Sequence, residues 1–203
     1  MVIPNEILIF LKSLWPMLML FIIVICSIRI IDIIFNKKKV IIHKELMNLM
    51  FIVYLFLLFQ LVTTSDFESF SNNFIPFKEI MRYKIDSSLF YRNVIGNIVL
   101  FMPFGYLVSY YLKNTKYYIA LILTFITSIS TEVIQMYIGR SFDIDDILLN
   151  LVGGLVGYLI FKVQYKIIEK LPNFLKKKWL ADLLVIILFV IVMIGIYFVL
   201  WRI

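Results

Sequence analysis

Apolar runs separated by short polar stretches set the pattern of this chain. Runs at about 13–35, 46–62, 92–112, 117–138, 147–161 and 183–201 are each close to what a helix needs to cross a hydrocarbon core of roughly 30 Å. Six spans are predicted, and the expected fold class is all-α, a polytopic transmembrane helical bundle. One connection is too long for a simple turn: Thr63 to Tyr91, 29 residues. Its Phe67, Phe70, Phe74, Phe77, Tyr83 and Phe90 are mixed with charges, and Pro76 forces a bend. That mixture predicts an outer interfacial or re-entrant segment over about 64–91. In the third run, Pro103 and Gly105 of FMPFG predict a kink, whose freed carbonyl needs a neighbour to satisfy it. In the fifth, Gly153 and Gly157 form a small-xxx-small pair that lets another helix approach closely. The organisation expected is an N-terminal transmembrane hairpin and start of the outer loop (1–72), a central membrane domain (73–161), and a cytoplasmic basic loop with the last transmembrane helix (162–203).

Composition supports this reading and narrows the chemistry. With 203 residues, 63% apolar and 16% charged, the chain lies outside the soluble globular range and leaves no room for a soluble domain beside the spans. Cys26 is the only cysteine and His43 the only histidine. A disulfide within the chain and a His/Cys metal site are both excluded by inventory, and no cofactor or metal is expected. Of 20 Lys and Arg, 12 fall on one side of the predicted spans: Lys37, Lys38, Lys39, Lys44, Lys113, Lys116, Lys162, Lys166, Lys170, Lys176, Lys177 and Lys178. The lysine-rich side is then cytoplasmic and both termini extracytoplasmic. Anionic inner-leaflet lipid accounts for these lysines, so nucleic acid is not an expected partner. Because the basic cluster follows the first apolar run, that run reads as an uncleaved anchor.

The candidate chemistry gathers near one membrane face. Glu132 is the only acid of the run Tyr117 to Ile138, and at about 1.5 Å rise per residue it lies roughly 9 Å inside the helix end. An unpaired ionisable group there costs a few kcal/mol, so a functional or ion-paired role is the expectation. Gln135 shares its face; Asp143, Asp146 and Asn150 share a face of the next helix; Asn93 and Asn97 stack near the outer end of the third. With Arg92 and Arg140 these residues form a candidate polar site. The structural alternatives are an ion pair of Glu132 with Arg92 or Arg140, and a capping role for Asp143 and Asp146 at a helix N-terminus. Asp145 is expected to point elsewhere and be solvated. A divalent cation held by the DIDD run is a weaker alternative, because the spacing matches no known loop.

Over about Asn73 to Phe161 the chain resembles the VanZ-like family of bacterial membrane proteins. The resemblance rests on NFIPF (Asn73 to Phe77), R-N-x-x-G-N (Arg92 to Asn97), FMPFG (Phe101 to Gly105), TEVIQ (Thr131 to Gln135) and the GRSFDIDDILLNLVGGLVGY run (Gly139 to Tyr158). It implies a cell-envelope role in Gram-positive bacteria, of the kind that raises resistance to teicoplanin-type lipoglycopeptides without remodelling the peptidoglycan terminus. The expected partner is membrane lipid, a lipid-linked cell-wall precursor or an acylated glycopeptide. Three functions compete. One is a non-enzymatic protein whose outer polar site binds or shields lipid or drug. Another is an intramembrane enzyme on a lipid-linked precursor, with Glu132 or Asp146 as base and Arg92 or Arg140 on a phosphate. The third is a small lipid flippase. No Ser-His or Cys-His set supports the enzyme.

Overall fold

The structure, a computed structural model, describes residues 5–37, 41–63, 72–112 and 116–170, with a few helical positions between 179 and 190. Most of the predicted sixth span, together with Phe67 and Phe70, lies outside the described residues. Among the described residues the helices that carry a full range are, in order, α1 (Asn5–Phe35), α2 (Ile42–Thr63), α3 (Lys78–Arg82), α4 (Ser88–Phe90), α5 (Gly96–Leu112), α6 (Tyr117–Tyr137) and α7 (Ile144–Lys170). A π-helical turn, Tyr91–Ile95, joins α4 to α5. The fold is an all-α membrane bundle. Among the described residues three helical runs are long and apolar enough to cross a membrane: Ser88–Leu112, Tyr117–Tyr137 and Ile144–Lys170.

Close contact between α5 and α7 is the centre of the bundle. A Cβ on Gly153 would stand 2.2 Å from the Ile98 carbonyl oxygen, and one on Gly157 2.1 Å from that of Met102. Both are backbone atoms that cannot swing aside, so the small-xxx-small expectation holds and its partner is α5. Helix α6 closes the bundle with one polar face. Thr124, Ser128, Thr131, Glu132 and Gln135 are buried, whereas Ile122, Phe125, Ile126 and Met136 are exposed on the opposite side. Away from the polar end, Met47, Tyr54 and Leu58 of α2 pack with Phe101, Phe104 and Leu107 of α5, Ala120 of α6 and Phe161 of α7. Between α1 and α2, Arg29 meets Asp32 as its i,i+3 spacing predicts, and also holds both carboxylate oxygens of Glu45 (2.6 Å each).

Two features differ from the pattern read off the sequence. An irregular π-helical turn that no residue pattern indicated lies at Tyr91–Ile95, ahead of Pro103, which sits inside α5. In the turn around Pro103, Tyr54 of α2 reaches the helix backbone: its hydroxyl donates to the Leu100 carbonyl (2.8 Å) and has the Phe104 backbone as a second partner. The fifth apolar run ends near Phe161, yet α7 continues to Lys170. Its last turns carry Lys162, Lys166 and Lys170 at helical spacing and meet no breaker before Pro172. Apolarity marks where lipid contact stops, not where helical hydrogen bonding stops.

Candidate functional site

At the end of the bundle where α6 leaves off and α7 begins, the loop is fixed by local sequence. Gly139 takes φ 90, and the N–H groups of Gly139 and Arg140 return to the carbonyls of Met136 (3.2 Å) and Gln135 (2.9 Å). This Schellman closure needs a glycine at the left-handed position. It turns Arg140 back over the helix end. The Gln135 amide then satisfies both neighbours, its nitrogen donating to Glu132 Oε1 (2.9 Å) and its oxygen accepting from Arg140 Nη1. Glu132, 2% exposed, uses its second oxygen, Oε2, to accept the Asp143 backbone N–H (2.9 Å). Glu132 is thus joined to Arg140 through an amide, while Arg92 stands exposed on the π-turn.

Asp143 precedes α7, and its Oδ1 accepts the N–H of Asp145 (2.9 Å), the expected cap. The reciprocal bond of a capping box would bring Asp146 to the Asp143 N–H. Glu132 of another helix occupies that donor instead, and Asp146 accepts from Asn97 Nδ2 (2.6 Å) on α5. Burial pushes the Asp143 carboxyl above the ordinary carboxylate range, opposed by the Asp145 N–H and the Asn73 amide that hydrogen-bond its charged form. One turn deeper, Asn150 Nδ2 donates to Ser128 Oγ (2.9 Å) while its buried Oδ1 has no hydrogen-bond partner. Asn93 Nδ2 donates to the Tyr83 hydroxyl (2.8 Å). Of the predicted site residues, Glu132, Gln135, Arg140 and Asp143 form one hydrogen-bonded chain. Asn97 with Asp146 and Asn150 with Ser128 adjoin it, and Asn93 serves the neighbouring segment.

The structure corrects the reading of Asp145. Far from being solvated, it is 1% exposed, and it accepts the backbone N–H groups of Phe77 (2.5 Å), Glu79 (2.8 Å) and Ile80 (3.2 Å). Phe77 adopts a left-handed conformation (φ 66), and it stands just ahead of the first turn of α3, whose amides also reach the carboxylate. Asn73, likewise outside the predicted set, pairs with the same loop. Its backbone exchanges bonds with Phe142 (2.8 Å) and Ile144 (3.1 Å), and its amide donates to Asp143 Oδ1 (2.8 Å). Asn73 lies in NFIPF and was visible as a motif, but backbone partners for Asp145 leave no side-chain signal. The three aspartates diverge to different partners. Among the described residues no group of three or more His, Cys, Asp or Glu could hold a metal ion.

A compact helical membrane bundle, with a hydrogen-bonded acid and amide cluster at one end and a segment docked on that cluster, is the class of protein these features define. The chain belongs to the VanZ/LLP1 family, whose family model matches residues 45–168. It is 26% identical over 123 residues to Protein VanZ of Enterococcus faecium, an alignment covering 60% of this chain and 71% of that protein. No solved structure matches the chain.

Proposed function

We propose that this protein is a non-enzymatic component of the bacterial envelope that lowers susceptibility to teicoplanin-type lipoglycopeptides. Its polar cluster faces the outer leaflet and binds or shields a lipid or an acylated drug. Six spans place both termini outside and the lysine-rich loops inside. The observation that carries the non-enzymatic reading is how the acids are used. Glu132, one of the two candidate bases, accepts protein N–H donors at both oxygens, and Asp146, the other, accepts the Asn97 amide at Oδ1, so each carboxylate is engaged within the bundle. Relatedness to Protein VanZ supports the envelope role. Depth near the membrane surface supports an amphiphilic ligand, because an acyl chain in that leaflet gains about 0.8 kcal/mol per buried methylene and concentrates there.

The test is the inhibitory concentration of teicoplanin and of vancomycin against one host with and without the gene. Protection against the acylated drug and hardly any against unacylated vancomycin is expected. Equal protection against both would point to target modification and sink the shielding idea. Orientation is checked separately with impermeant thiol reagent on intact cells: a cysteine at Lys84 should label and one at Lys38 should not.

A further inference from the structure

The segment between Asn73 and Tyr91 is attached to the bundle in an unusual way. Helix α3 has no buried residue, and its attachment is through backbone N–H groups to Asp145, with Asn73 and Tyr83 tied down on either side. One apolar contact adds to this docking, the Phe74 ring stacked on Phe142 of the α6–α7 loop (centroids 5.3 Å). Other large apolar side chains point out: Met81 is 82% and Ile85 72% exposed, and Phe77 and Leu89 are exposed as well. Lys78, Lys84 and Arg92 lie exposed among them.

We propose that this segment is a membrane-surface anchor: its apolar side chains enter the lipid at headgroup depth, and Lys78, Lys84 and Arg92 meet the phosphates of anionic phospholipid. Continuity argues for lipid as the occupant. The segment runs without a gap into Ser88–Leu112, a helix long and apolar enough to cross the membrane, so it lies where that helix enters the bilayer. Amphipathic elements at that depth bury an apolar face about 5–10 Å into the headgroup boundary and add electrostatic attraction to anionic lipid. Charge agrees: Lys78, Arg82, Lys84 and Arg92 outnumber Glu79 and Asp86 on the segment, and Arg82 pairs with Glu79 (3.2 Å). The inference goes beyond the drug-shielding reading and does not depend on it, since a surface anchor is compatible with any ligand of the polar cluster.

The experiment uses the full chain in a Cys26→Ser background, spin-labelled in turn at Met81→Cys, Ile85→Cys and Asp86→Cys, and reconstituted in phosphatidylcholine vesicles with and without phosphatidylglycerol. Positions 81 and 85 should be accessible to oxygen and shielded several-fold from a water-soluble nickel chelate, and position 86 should show the reverse. Adding phosphatidylglycerol should deepen position 81, and Lys78→Gln with Lys84→Gln should remove that deepening. Water-like accessibility at both 81 and 85 would overturn the proposal. So would spin–spin broadening at 81, which would put a second copy of the chain on this face. Reversal of the phosphatidylglycerol effect by inorganic phosphate would assign the cations to a free anion instead of a lipid headgroup. A failed drug-protection assay with 81 and 85 in lipid would sink only the proposed function.

Discussion

Replacing Asp145 by alanine isolates the link between the docked segment and the bundle. The carboxylate accepts three backbone N–H groups from a segment with no other buried anchor in α3. Bonds to a charged acceptor contribute about 1.5 kcal/mol each at the low end, so the three would reach about 4.5 kcal/mol if additive. Amides released at a membrane surface regain water, which reduces the net cost of Asp145→Ala to about 2–3 kcal/mol. At about 1.4 kcal/mol per decade, that raises the local opening equilibrium about 30- to 140-fold. Hydrogen exchange on the chain in lipid nanodiscs reads this directly, because the Phe77, Glu79 and Ile80 amides exchange through local opening. Faster exchange over 77–80, with α6 amides unchanged, is expected. Asp145→Asn should fall between, since a neutral carbonyl still accepts but without charge assistance. Equal protection over 77–80 in wild type and Asp145→Ala would refute the clamp.

Further predictions concern the cluster and the helix contact. Glu132→Gln keeps size but removes charge from the acceptor of the Asp143 N–H; it should abolish any lipoglycopeptide tolerance at unchanged membrane abundance, measured by inhibitory concentration and immunoblot. Full retained tolerance would leave Glu132 a packing residue. Gly157→Ala places a methyl against the Met102 carbonyl and should lower the thermal midpoint in detergent, at a cost of about 1–3 kcal/mol despite alanine's better helix propensity. A midpoint at or above wild type would show that α5 and α7 can separate freely. Because the folded Asp143 carboxyl titrates above its ordinary range, the stabilisation tied to its protonation is complete below that range and is lost as pH rises through the raised value. The rise in thermal midpoint on going from neutral to mildly acid pH should therefore be smaller, or any fall larger, in Asp143→Asn than in wild type.

What the sequence revealed followed from periodicity and from residue size. The polar face of α6 repeats at three and four residues, and Gly153 and Gly157, four apart, stack on one helix face where small size permits close approach, so both were legible in the sequence alone. Harder to see was anything whose partner is backbone. Asp145 binds three amides that every segment possesses, and Glu132 takes the Asp143 N–H that a capping box would have given to Asp146. The π-turn at Tyr91–Ile95 likewise carries no residue that announces it, and nothing in the sequence of α2 announces that Tyr54 reaches the Leu100 carbonyl of α5.

The division of labour at the polar end follows from the solvent. In water, a short helix such as α3 would be held by burying apolar side chains. At a bilayer surface lipid serves those side chains as well as protein does, so apolar contact gives the segment little preference for one position over another. Directional bonds can supply that preference, provided their groups are shielded from water. Asp145 and Asn73 are both buried, and each meets N–H or C=O groups fixed by the backbone. Two stretches separated by about seventy residues, NFIPF and DIDD, are therefore parts of one joint, in which Asp143 faces Asn73 and Asp145 faces the turn after it. Glu132 completes it from α6 by holding the Asp143 amide. A ligand that disturbs Glu132 would thus be felt at the segment, and exchange at 77–80 in the Glu132→Gln protein should rise along with the loss of tolerance. Unchanged exchange there would separate the two and confine Glu132 to the ligand.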